Sequence, residues 1–229
     1  MGFLEFARSI LPQLLAATGT TLQLTVCAIA LGFGIGIVLA LLRVYGNRPL
    51  RIVSGAYVHF FRGTPLLAQL LLVYYGLPPY LSMIGVRLSP LTAAVIGLGL
   101  NSAAYQAEYF RGAIQSIQSG QMLAARAIGL SRVGSIRHVV LPQALRLVIP
   151  SWSNELIYSI KYSSLAYFLT LKELTFVGRK LALRTARTLE VYLLVAAIYL
   201  AIVIVVSRIL ALLERRVHIP GLGFARGRR

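Results

Sequence analysis

The chain has 229 residues, 58% of them hydrophobic and only 13% charged, with a mean hydropathy of +0.77. A soluble domain of this size needs more charge to cover its surface, so the apolar excess points to lipid contact rather than to a soluble protein with buried helices. The net charge of +17, with six Glu and no Asp, would in a soluble protein indicate nucleic acid. Here the basic residues sit mostly between apolar segments, where anionic head groups and membrane orientation account for them, and no nucleic-acid partner is expected.

Met1 to Thr21 carries Glu5, Arg8 and Pro12 and lacks a compact apolar run followed by a small-residue cleavage site, so the first segment reads as a retained helix. The first predicted span is Thr21–Leu42, containing the lone cysteine, Cys27, a small packing residue with no partner for a disulfide. Gly32, Gly34 and Gly36 in this span read as a close-packing face, since no strand precedes them to make a nucleotide loop. Pro65–Gly85 is the second span, interrupted by Pro78 and Pro79, and Leu88–Phe110 the third. Val139–Leu171 is the fourth, with Pro142, Pro150, Glu155 and Lys161 inside it; Val191–Leu213 is the fifth. A broken, polar helix is tolerated in a membrane only where it faces protein or a wet cavity, which makes span four the candidate pathway wall.

Placing the N-terminus outside assigns 15 of the 23 basic residues to the inner side, as the positive-inside tendency requires. The eight outer ones are Arg8, Arg87, Lys161, Lys172, Arg179, Lys180, Arg184 and Arg187. The stretch Lys172 to Arg187 is unusually basic for an external loop: either the chain does not run outside there, or the loop meets something acidic. One membrane domain, 1–218, accounts for the chain, and 219–229 reads as a flexible basic cytosolic tail.

Between spans three and four, residues 111–138 are polar enough to leave the membrane. Within them lies a short helix candidate, Gln121-Met-Leu-Ala-Ala-Arg-Ala-Ile-Gly129, in which Ala124, Ala125 and Ala127 favour helix and Gly129 is placed to end it. Met122, Ala125 and Gly129 share one small-faced stripe. Such a helix suits docking into a groove on another protein, or equally lies on the bilayer surface.

Gly120 to Gly129 followed by Val139-Val-Leu-Pro142-Gln-Ala resembles the EAA loop of ABC importer permeases. Phe61-Arg-Gly-Thr-Pro-Leu-Leu-Ala-Gln69, Ala104-Tyr-Gln-Ala-Glu108-Tyr-Phe-Arg-Gly-Ala-Ile114, and Pro150 through Asn154-Glu155 to Lys161 resemble the polar amino-acid branch of that family. The likeness runs from Thr18 to Leu213 with the four motifs in order. Two positions depart from it. Leu123 stands where the family's loop usually has Glu, and Tyr162-Ser163-Ser164-Leu165 stands where relatives carry Asp-Thr-Ser-Leu.

The resemblance implies an all-α integral membrane protein of about five transmembrane helices, with the type I ABC importer permease fold, in a bacterial inner membrane. It implies pairing with a second permease, identical or a sister, on a dimer of cytosolic ABC ATPases contacted through Met122, Leu123, Ala124, Ala125, Ala127 and Gly129. An extracytoplasmic amino-acid-binding protein would deliver the substrate. The sequence has no G-x-x-x-x-G-K-S/T loop, so no cofactor is expected on this chain, and ATP and Mg belong to the partner ATPase.

Transporter sites lie near mid-bilayer where helices break. Glu155 and Tyr162 are seven residues apart on one helical face with Tyr158 beside them, and an ionised Glu there can meet an ammonium or guanidinium group. Tyr158, Tyr162, Ser163 and Ser164 can bind a carboxylate or amide. Asn101, Ser102 and Tyr105 form a second wall, or are interhelical ties. The competing reading of Glu155 is an ion pair with Lys161 or an Arg. Arg62 reads as a helix anchor, and Glu108 with Arg111 as a local ion pair. His59, His138 and His218 are not spaced as metal ligands, and no catalytic constellation is present. An ATP-independent secondary amino-acid transporter would need titratable coupling groups, for which only Glu155 and Glu108 qualify, and would leave the cytosolic helix unemployed. A membrane-anchored assembly or sensory subunit would not need the broken polar span. Which amino acid is carried stays open.

Overall fold

A computed structural model describes residues 2–117 and 119–217; the tail at 219–229 and His218 lie outside the described residues. Among the described residues ten α-helices follow one another: α1 (Phe3–Tyr45), α2 (Arg48–Gly63), α3 (Leu66–Leu71), α4 (Pro78–Ser82), α5 (Pro90–Ser116), α6 (Ser119–Ala127), α7 (Arg132–Ser135), α8 (Leu141–Tyr162), α9 (Leu174–Thr185) and α10 (Thr188–Val217). Among the described residues no strand occurs. By length and composition α1 and α10 are each apolar enough to cross a bilayer. At 1.5 Å per residue, the 27 residues of α5 and 22 of α8 reach about 40 and 33 Å, enough to cross with one face polar.

The first helix is longer than expected, starting at Phe3 instead of Thr21 and running 43 residues. Pro12 is exposed and removes one backbone donor without ending it. What holds the extra turns is tertiary: Phe6, Ile10 and Leu14, spaced by four, pack against Leu174, Leu181 and Ala182 of α9 and Val191 and Val195 of α10. α2 was not foreseen as a separate element. Asn47 caps it by accepting from the Leu50 amide at 3.1 Å, and its exposed Leu50, Ile52 and Val53 beside Arg48 and Arg51 give it the character of an interfacial helix.

Prolines shape spans two and four through wide turns. Leu72–Gly76 and Ile136–Val140 form π-helical turns, with Leu77 N donating to Leu72 O and Leu141 N to Ile136 O. Each precedes a proline, Pro78 or Pro142, whose ring would clash with the carbonyl four residues back in a regular helix. Span four was expected to break around Pro150. Instead α8 runs through Pro150 to Tyr162, tightens into a 3₁₀ segment, Ser163–Leu169, and ends at Thr170 with φ of 59°.

The stretch Lys172 to Arg187 is also not a loop. Most of it is α9, whose N-cap Glu173 is fully buried, accepts from the Thr175 and Phe176 amides at 2.8 Å each, and takes the Tyr199 hydroxyl at 3.0 Å. The Leu174 amide donates to Thr21 Oγ1 at 3.1 Å, tying α9 to both long helices.

α1 and α5 form the most extensive seam in the bundle. A Cβ at Gly32 would lie 2.6 Å from Gln106 Nε2, and one at Gly36 3.0 Å from Gln106 Cβ and 3.1 Å from the Ala103 carbonyl. This is small-xxx-small packing, in which a missing side chain lets two backbones approach. Gly34 meets nothing within 4 Å and lies off that face.

Candidate functional site

Glu155 lies in the middle of α8 with 5% of its surface exposed. Its Oε1 accepts from the Ser102 hydroxyl on α5 at 2.7 Å. Behind Ser102 a chain of hydrogen bonds has only one possible polarity. The Trp152 indole N–H is a donor only, so Gln106 Oε1 accepts from it at 3.0 Å. Gln106 Nε2 then donates to the Ile29 carbonyl at 3.2 Å and to Ser102 Oγ at 3.0 Å. With one lone pair taken, the Ser102 proton points at Glu155. α8, α5 and α1 are thereby stitched together, and Oε1 is fixed as an acceptor.

No cation among the described residues reaches Glu155 within salt-bridge distance. Lys161, a partner in the competing ion-pair reading, lies over the Tyr158 ring at 4.3 Å. Tyr158 and Tyr162 stack at 6.1 Å between ring centroids and are both exposed. Tyr105 and Tyr109 on α5 belong to the same electrostatic neighbourhood as Glu155, Tyr158 and Tyr162, and the Arg62 guanidinium lies over Tyr105 at 5.1 Å. A buried carboxylate with one oxygen tied back to Ser102 and the Tyr109 and Tyr162 phenols nearby is a surface suited to a small polar ion.

Of the residues expected at the site, the structure brings together Glu155, Tyr158, Tyr162, Ser102 and Tyr105. Asn101 lies apart: its amide donates to Gln69 Oε1 at 2.9 Å and to the Phe61 carbonyl at 3.1 Å, while Gln69 Nε2 holds Thr64 and Phe61. It anchors the Phe61–Pro65 turn to α5. Ser163 is buried and donates to Ile160 O, and Ser164 is half-exposed and donates to Lys161 O; the 3₁₀ tightening after Tyr162 turns both hydroxyls back onto the chain. Sequence reasoning missed Gln106, Tyr109 and Trp152. Tyr109 stands four residues after Tyr105, a helical-face signal that was available in the sequence; the Trp152–Gln106 pair, 46 positions apart, left none.

Towards the Arg43 end of α1, Glu108 and Arg111 form the expected pair, Arg111 Nη2 to Glu108 Oε2 at 2.7 Å. Arg43 of α1 joins them on Glu108. Beyond α5, α6 ends in a Schellman turn: Leu130 N donates to Ala125 O and Gly129 N to Arg126 O, with Gly129 at φ of 92°. The Met122–Ala125–Gly129 stripe was expected to face a partner or the bilayer surface. Instead Ala125 is buried and Met122 packs against the cluster around Phe110 and Ile114. The outward face carries Leu123, 68% exposed, with Ala124, Ala127 and Ile128, 81% exposed.

These features define a class: a helical membrane subunit with a buried polar site and a short helix, α6, that turns an exposed face away from the bundle. Residues 32–219 match the family described as the binding-protein-dependent transport system inner membrane component. The chain is 40% identical over 209 residues to the nopaline transport system permease protein NocM of Agrobacterium fabrum, covering 89% of this chain and 87% of that one. It is 39% identical over 209 residues to the glutamine transport system permease protein GlnP of Escherichia coli, covering 91% and 94%. The crystal structure of an amino acid ABC transporter with histidines superposes with a TM-score of 0.83 at 35% identity, over 94% of this chain and 99% of that one. An inward-facing MetNI methionine ABC transporter superposes at 0.79 with 22% identity, a likeness of fold. The chain therefore belongs to the inner-membrane component family of binding-protein-dependent transport systems, as a multi-pass permease subunit of an ATP-binding-cassette importer. The ATP-independent transporter loses its ground.

Proposed function

We propose that this permease carries polar amino acids and that Glu155 receives their positively charged group. The observation that supports it best is the buried carboxylate with one oxygen held by Ser102 and, among the described residues, no cation within ion-pair distance. An unpaired intramembrane charge is expensive unless it serves an ion that comes and goes. Tyr105, Tyr109, Tyr158 and Tyr162 supply hydroxyls for the rest of the ligand, and Arg62, over the Tyr105 ring at 5.1 Å, is a candidate for its carboxylate. Relatives named for nopaline, octopine and glutamine transport agree with such a substrate class. Tyr162, where the family carries Asp, removes one negative charge and disfavours a strictly dibasic substrate.

The energy comes from a dimer of cytosolic ABC ATPases, which bind ATP and Mg, and the exposed Leu123–Ile128 face of α6 docks into their groove. Two permeases, identical or sister, enclose the pathway, with the N-terminus outside. An extracytoplasmic amino-acid-binding protein loads it. ATP binding closes the ATPases, moves α6 and opens the bundle outward; hydrolysis resets it.

The test is ATP hydrolysis in proteoliposomes holding the permease with its ATPase, with binding protein loaded from an amino-acid panel. One ligand class should stimulate turnover, and Glu155→Gln should abolish uptake of that class while the loaded binding protein still docks. Uptake that survives Glu155→Gln unchanged removes Glu155 from the site.

A further inference from the structure

Three cations of the α9 region converge on one groove. Lys172, Lys180 and Arg184 line a cavity of about 440 Å³ between α9 and the first half of α1, with Gln13 and Thr20 from α1 and Phe176, Val177 and Leu181 from α9 also lining it. Among the described residues none of the three has a carboxylate within ion-pair distance. The nearby acids are already committed: Glu173 is buried under two backbone amides and Tyr199, and Glu190 is held by Arg187 at 2.6 Å. Arg179, the remaining cation of α9, lies over Tyr167 at 5.4 Å instead. Three like charges around one concavity repel one another unless an anion lies between them.

The surroundings are not those of a surface in free water. α9 folds back alongside the outer turns of α10: Glu173 reaches Tyr199, and Arg187 lies over Phe6 at 4.2 Å. On those same turns α10 exposes Leu189 and Leu193, α1 exposes Leu4, and Leu183 of α9 is 76% exposed on the stripe that carries Lys180 and Arg184. In a membrane-spanning chain such bare leucines face acyl chains, which places the cations at head-group level. An occupant that matches both parts is an amphiphile, with an anionic head for the three cations and a chain for the apolar lining and flank. We infer that the α1–α9 groove is a binding site for the head group of an anionic phospholipid. The charge of this segment, read from sequence as meeting something acidic, thereby acquires a lipid partner.

The test uses the purified permease–ATPase complex in nanodiscs of mixed phosphatidylglycerol and phosphatidylcholine, with the lipids that remain bound counted by native mass spectrometry. The wild-type complex should retain phosphatidylglycerol in preference to phosphatidylcholine. Lys172→Gln, Lys180→Gln and Arg184→Gln together should lower that retention roughly a hundredfold, from about fivefold per basic residue near an anionic surface. Arg51→Gln on α2 is the control for loss of a distant charge and should retain the lipid. Co-purification of the ATPase with the triple variant shows that it is folded. Equal retention by the triple variant and wild type overturns the inference. It is equally overturned if lipid retention is unchanged while the triple variant binds the loaded binding protein more weakly, which assigns the groove to protein docking. These readouts do not depend on which amino acid is carried, so they stand apart from the Glu155 experiment.

Discussion

Replacing Gln106 by Leu keeps the volume of the side chain and removes three hydrogen bonds at once, to Ile29 O, Ser102 Oγ and from Trp152 Nε1. Hydrogen bonds between membrane helices average about 0.6 kcal/mol and reach about 1.7 kcal/mol, so the three together contribute about 2 kcal/mol. Gln106 is fully buried and Trp152 partly so, hence the indole N–H left without an acceptor keeps the loss from falling below this figure. The effect is read by denaturant or thermal unfolding of the purified complex. The sharper measurement is a double-mutant cycle with Ser102→Ala. If Trp152, Gln106, Ser102 and Glu155 act as one relay, the double variant should be less destabilised than the sum of the singles, by about 0.5 kcal/mol or more. Additivity within about 0.3 kcal/mol would refute the relay and reduce Gln106 to a packing residue. A functional readout separates positioning from mere stability. Gln106→Leu should weaken uptake even at temperatures well below its unfolding midpoint, and Gln106→Glu, which keeps an acceptor for Trp152 but not the donor to Ser102, should not restore it.

Gly32→Val should lower stability by about 1–3 kcal/mol through overpacking against Gln106 and Ser102, whereas Gly34→Ala, with open space around it, should stay within about 0.5 kcal/mol; thermal unfolding distinguishes the two. Gly129→Ala places a side chain at φ of 92° and should cost about 1–2 kcal/mol, loosening the end of α6 and raising its amide exchange. Leu123→Asp with Ile128→Asp should reduce ATPase co-purification at least tenfold, since full burial of each apolar side chain contributes about 1.5–3 kcal/mol. Ala125→Asp, on the buried face, should instead unfold α6 from the bundle. Glu173→Ala removes an N-cap that holds two amides and should cost about 1–2 kcal/mol, seen as early unfolding of α9 in hydrogen exchange.

Hydropathy and the absence of charge in long stretches made the membrane class and the main spans legible from sequence, because lipid imposes the same demand on every spanning residue. The Gly129 stop was legible for a similar reason: a positive φ leaves few residue choices. Glu155 was conspicuous since a charge inside an apolar span has few structural excuses, and Tyr158 and Tyr162 followed from helical spacing. What the sequence left undecided depends on residues far apart along the chain. Whether Glu155 met Lys161 or a neutral donor was settled by the crossing of α5 and α8, which brings Ser102 to it across 53 positions. The N-terminal turns of α1 and the helicity of 174–185 come from burial of Phe6, Ile10 and Leu14 against α9 and α10, contacts that no local pattern encodes. Which face of α6 turns outward was undecided for the same reason: periodicity finds a stripe, but only the neighbouring cluster around Phe110 decides which stripe is buried. Period and composition are local properties of a chain, and the partner of a buried polar group is not.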